Sequence, residues 1–132
     1  MACSPPWKAP RTTSKGRPMI ESIAVSKTDR IRLLNDNFRS SFGGGRILTT
    51  AGVAELPVDI KARVLLAVQS FSNFTKDNDP HGEHDFGNFA VEGEQYFWKI
   101  DYYDLNCRYG SEDPSDPKQT TRVLTIMRAS EY

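Results

Sequence analysis

A chain of 132 residues has room for one domain with a single core of moderate size. A hydrophobic share of 38% and a charged share of 26%, with a mean hydropathy of −0.54, fit a soluble globular protein with some disorder. No apolar run approaches membrane-spanning length, and the first 18 residues carry Lys and Arg but no apolar signal-peptide core.

The 17 basic and 17 acidic side chains cancel in total but are segregated along the chain. Residues 1–75 hold 11 basic and 5 acidic groups, residues 76–117 hold 3 and 11, and residues 118–132 hold 3 and 1. A middle at −8 between basic flanks repels nucleic acid and suits a cation or a basic protein surface. Cys3 and Cys107 lie far apart, so no disulfide is expected, and a reducing cytoplasm is the simpler setting. No Cys-His signature surrounds Cys107.

Residues 1–18 combine four prolines with four basic groups and only Trp7 as a bulky apolar residue. They cannot bury enough surface to offset ordering and read as a disordered basic tail, with Met19 as an alternative start and residues 19–132 as one domain. Ser26 to Phe42 reads as a helix. Ser26 or Thr28 caps it, Asp29 favours its positive end, and Ile31, Leu34, Phe38 and Phe42 share one face. Gly43-Gly44-Gly45 is the expected left-handed terminator, since no Lys-Ser or Lys-Thr follows to make it a phosphate loop.

Arg46 to Thr50 is a strand candidate closed by Gly52. A second helix from about Pro57 to Phe71 carries Ile60, Val64, Leu65, Val68 and Phe71 on one face; Leu66 and Ala67 widen it, so deep burial is expected. Ser72 to His84 is a polar loop. Phe86–Val91 and Gln95–Tyr103, joined at Glu92-Gly93-Glu94, form a hairpin in which Tyr96, Trp98, Ile100 and Tyr102 point one way and Phe97, Lys99, Asp101 and Tyr103 the other. Leu105 to Gln119 is a long acidic loop, and Thr121 to Ala129 is a central strand covered on both faces. The fold class is α+β: two helices on one face of a three- or four-stranded, mainly antiparallel sheet, in the order α-β-α-β-β-β.

Chemistry concentrates between Asp77 and Asp104, which contain both histidines and eight acidic residues. His81, Glu83 and His84, with Asp101, supply metal-ligand types, and His84 with Asp101 or Asp104 could serve acid-base work in a small metal-dependent hydrolase. No H-E-x-x-H or C-x-x-C strengthens the metal set of His81, His84 and Asp101, and no cofactor is implied. The bland alternative is a capped turn in which Asp77, Asp79 and Asp85 bond to backbone N–H groups. Recognition is the third reading: Trp98, Tyr102, Phe97, Tyr103 and Tyr109 are hot-spot types, with the Trp98 face read as core, and Phe97, Tyr103 and Tyr109 are rimmed by Asp77, Asp79, Glu83, Asp85, Asp104, Glu112 and Asp113.

The stretches R-I-R-L-L-N-D-N-F-R, D-N-D-P-H-G-E-H-D-F-G, F-W-K-I-D-Y-Y-D and G-S-E-D-P-S-D-P, the last followed by T-R-V-L-T-I-M-R-A-S-E-Y, carry a resemblance over about Arg30 to Tyr132. The chain resembles small bacterial proteins grouped as a domain of unknown function, family 3768. That resemblance implies an accessory role on plasmids, integrated elements or phages and transfers no catalytic residue. With the acidic middle, it favours a cytoplasmic protein-binding inhibitor of host defence, anti-CRISPR or anti-restriction. Its partner would be a basic surface of a nuclease or defence complex; direct nucleic-acid or membrane binding is disfavoured.

Overall fold

A computed structural model describes residues 26–132; the expected tail over residues 1–18 lies outside them. Helix α1 spans Lys27–Ser41. The Ser26 hydroxyl accepts from the Asp29 N–H at 3.0 Å, and Asp29 sits in the positive first turn, so the predicted start is met. The helix ends one residue before the glycines. Phe42 itself takes the left-handed cap at φ 60° and donates its N–H to the Phe38 carbonyl at 2.7 Å.

Strand β1 (Arg46–Thr49) leads into a one-turn helix α2 (Ala51–Ala54), which the sequence reading missed, and then into α3 (Val58–Gln69). Strands β2 (Phe86–Val91), β3 (Glu94–Tyr103) and β4 (Thr121–Arg128) follow, and a 3-10 turn closes Ala129–Glu131. The sheet has four strands in the order β1-β4-β3-β2. β2–β3 and β3–β4 are antiparallel, while β1 pairs with β4 in parallel, Arg46 opposite Val123. Among the described residues the fold is thus α+β, with three helices and a mixed sheet. The α+β class and the mainly antiparallel sheet of the expectation hold, with four strands; the parallel β1–β4 edge and the extra helix α2 correct the expected two helices and the order α-β-α-β-β-β.

β4 lies between two partners, and Val123, Leu124, Ile126 and Met127 are all buried, as its mixed pattern required. Register places Tyr96, Trp98, Ile100, Leu124 and Ile126 on one face, where they form the core with Phe38, Val53, Val64 and Val68 from the helices. Trp98 packs edge-on to Phe71 and Phe74. Glycine is required at position 87, because a Cβ there would lie 2.5 Å from Trp98 Nε1 and 2.8 Å from the Phe71 ring. Leu66 does not widen the buried face of α3: it is 62% exposed, on the side turned to the β2 edge.

Candidate functional site

The polar segment before β2 is clamped onto α1. Arg32 Nη1 donates to the Gly82 carbonyl at 2.8 Å, and Asn35 Nδ2 donates to the Glu83 carbonyl at 3.0 Å. His84 takes a left-handed backbone, φ 56°, and its N–H donates to Asp79 Oδ1 at 3.0 Å. Its ring Nδ1 lies 2.9 Å from Asp36 Oδ1, and its Nε2 lies 3.5 Å from Asp79 Oδ2. One ring face stacks on Phe74, with centroids 3.7 Å apart and planes 3° from parallel. Behind this pair the buried Arg39 donates to Asp36 Oδ1 at 3.1 Å and to the carbonyls of Val68 and Phe71, and its guanidinium lies over Phe74 and Trp98.

A second network lies beside it. The Tyr102 phenol donates to Glu83 Oε1 at 2.8 Å and accepts from Asn35 Nδ2 at 2.8 Å. The fully buried Asn35 accepts from Arg122 Nε at 2.7 Å, Arg122 Nη2 donates to the Pro114 carbonyl at 2.6 Å, and the guanidinium rests on the Tyr102 ring. Burial, with the Glu83 bond adding to it, pushes the Tyr102 hydroxyl far above the ordinary phenol range. Burial also holds the Arg122 guanidinium below its usual range. Asp85 is raised by burial first and by the Glu83 and Asp79 charges next, so its carboxylate is an uncomfortable one.

A histidine beside an aspartate is the raw material of acid-base catalysis, but Nδ1 of His84 is hydrogen-bonded to Asp36, its Nε2 faces Asp79 at 3.5 Å, and one ring face is covered by Phe74. His81 is exposed, and Asp101 lies on the opposite face of the sheet from the helices, ion-paired to Lys99 at 3.1 Å. The structure therefore does not bring His81, His84 and Asp101 together. Among the described residues no group of three or more His, Cys, Asp or Glu side chains could hold a metal ion.

The ten residues singled out for binding divide three ways. Asp79, Glu83 and Asp85 belong to the clamped segment, and Asp77 is exposed just before it. Phe97 and Tyr103 lie on the sheet face turned away from the described helices, the helix-free face, where Phe97 packs with Phe86 and Tyr132. Asp104, Tyr109, Glu112 and Asp113 lie in the β3–β4 loop. There Asp104 accepts the Arg108 N–H, and Asp113 accepts from Ser115 and faces Lys27 at 3.6 Å. Tyr109 and Glu112 are exposed. Asn35, Asp36, Arg39 and Arg122 were missed. The signal for the first three was a second stripe on α1, in which Arg32, Asn35, Asp36 and Arg39 recur at the same three-and-four spacing as the apolar face, whereas Arg122 lies on β4, outside that stripe.

The model of a family described as protein of unknown function (DUF3768) matches residues 49–131. The chain belongs to that family. No curated protein and no solved structure matches it. The DUF3768 match is shorter than the resemblance traced from Arg30. It spans the end of β1 through the 3-10 turn, including His84, Glu83, Tyr102 and Arg122, and leaves outside it the α1 side chains that clamp them.

Proposed function

We propose that this protein works by binding another protein through the helix-free face of its sheet. The observation that carries the reading is one-sidedness among the described residues: the three described helices contribute to the core on one face, while the other presents Phe97, Tyr103, Lys99 and Asp101. Leu48, 52% exposed, and the exposed Tyr132 flank them. Aromatic and aliphatic groups ringed by charges are the composition of a recognition patch. At the end where β3 leaves the sheet stand Asp104, Tyr109 and Glu112, in the segment whose charge sums to −8, so the partner surface is basic.

The setting implied by the family resemblance makes the protein a cytoplasmic accessory of a mobile element. A basic groove on a host nuclease or defence complex is the partner this charge fits, which makes the protein an anti-CRISPR or anti-restriction inhibitor. No described helix is long and apolar enough to cross a membrane.

The test is a phage and plasmid-transfer challenge of cells with active CRISPR or restriction systems, with and without this protein. Protection by the wild type, lost in a Leu48→Ser/Tyr103→Ser double variant that keeps its circular dichroism, supports the reading. Unprotected cells, together with a purified protein that binds none of the purified defence complexes, would sink it.

A further inference from the structure

The edge strand β2 carries no charge, no proline and no bulge, and its six residues pair with β3 without interruption. Edges of this kind are normally blunted, because their outward N–H and C=O groups are a template for another strand. The register identifies those groups. The Ile100 N–H donates to the Asp85 carbonyl at 2.8 Å, so by antiparallel alternation Asp85, Gly87, Phe89 and Val91 turn their backbones to β3. Phe86, Asn88 and Ala90 turn theirs outward.

Beside this edge, on the helix side, runs an open groove in which Arg63, Leu66, Ala67 and Ser70 of α3 face Ala90, Val91 and Glu92. The exposed Leu66 lines it. Arg63 stands at one end, 2.6 Å from Glu92. At the other end of the strand is Asp85, half-buried and without a cation within 4 Å among the described residues.

We propose that β2 is a dimerisation edge on which a second copy of this chain lays its own β2, antiparallel, with the two-fold axis at Asn88. That register opposes Asn88 to its own copy and Phe86 to Ala90 of the other, so every outward backbone group pairs with another outward group. It keeps like faces together and joins two four-stranded sheets into one of eight. It also sets Asp85 of each copy opposite Val91 of the other, at the end of the groove where Arg63 stands. Arg63, which already bears on Glu92, then supplies the positive charge that Asp85 lacks among the described residues of its own chain, twice by symmetry. The sequence's formal net charge of zero puts no overall repulsion between copies.

Sedimentation equilibrium of the full chain tests this. The wild type sediments at twice the 14.9 kDa chain mass. Ala90→Lys, which puts a charge on the edge, and Asn88→Pro, which deletes an outward N–H, each weaken the dimer by about tenfold or more. Arg63→Glu weakens it less. A wild type at single-chain mass over the whole accessible concentration range overturns the proposal, as does a dimer indifferent to both edge variants. Should a variant lose its far-ultraviolet dichroism, hydrogen exchange of the wild type decides. The amides of Phe86, Asn88 and Ala90 must slow as concentration rises, and concentration-independent exchange at all three refutes the edge.

Discussion

Asn35 shows how much structure one short side chain can organise. It has no exposed surface, and its amide meets the Glu83 carbonyl, the Tyr102 hydroxyl and the Arg122 guanidinium, joining α1 to β3, β4 and the loop before β2. Asn35→Ala leaves a buried guanidinium and phenol short of partners and is expected to cost about 2–4 kcal/mol, read by urea denaturation. Asp85 behaves oppositely. Its carboxyl is raised, so the native state holds that proton more tightly than the unfolded chain does, and stability falls as pH rises from the ordinary carboxylate range to the raised native value. Asp85→Asn lacks this decline and is more stable than its parent at neutral pH. The comparison belongs in an Ala90→Lys background, so that assembly does not enter it; equal stabilities at neutral pH would contradict the assignment.

At the scale of elements, Glu131 fastens the 3-10 turn to α2. Its carboxylate accepts from the Thr50 hydroxyl at 2.6 Å, the Gly52 N–H at 2.8 Å and the Arg128 N–H at 2.9 Å. The Thr50 bond first, then the backbone donors, hold its carboxyl below the ordinary glutamate range. A depressed native value means stability present above the unfolded value and lost as pH falls through the native one. Glu131→Gln is therefore expected to flatten part of the acid arm of the stability curve, checked by thermal melts across the carboxylate range.

The elements themselves were largely legible, because α1, α3 and the hairpin each declare themselves within a few residues by period or turn chemistry. The parallel β1–β4 pairing was not: it joins Arg46 to Val123, and nothing local in either strand records its partner. Nor was the clamp on the loop, since the polar groups of α1 read as a solvated face until the chain folds back over them. The histidines were found, but not the company of His84: Asp36 lies 48 residues away, and neither it nor the nearer Phe74 shares a motif with the histidine.

For the molecule as a whole, β4 holds the sheet together. β1 and the β2–β3 hairpin touch the rest of the sheet only through it. Deleting residues 121–132 should abolish cooperative unfolding, leaving near-ultraviolet dichroism flat, because a lone hairpin beside loosely held helices cannot bury Trp98. A truncated chain that still melts in one sharp step would show that the core closes without β4.

The placement of β4 also bears on how the protein is made. Synthesis runs from the N-terminus, so the ribosome delivers α1, β1, α3 and the entire β2–β3 hairpin before the one strand that joins them exists. Until Thr121–Arg128 leaves the exit tunnel, the nascent chain carries β1 and one side of β3 as open edges together with an uncovered core face, and the domain closes only once that strand has emerged.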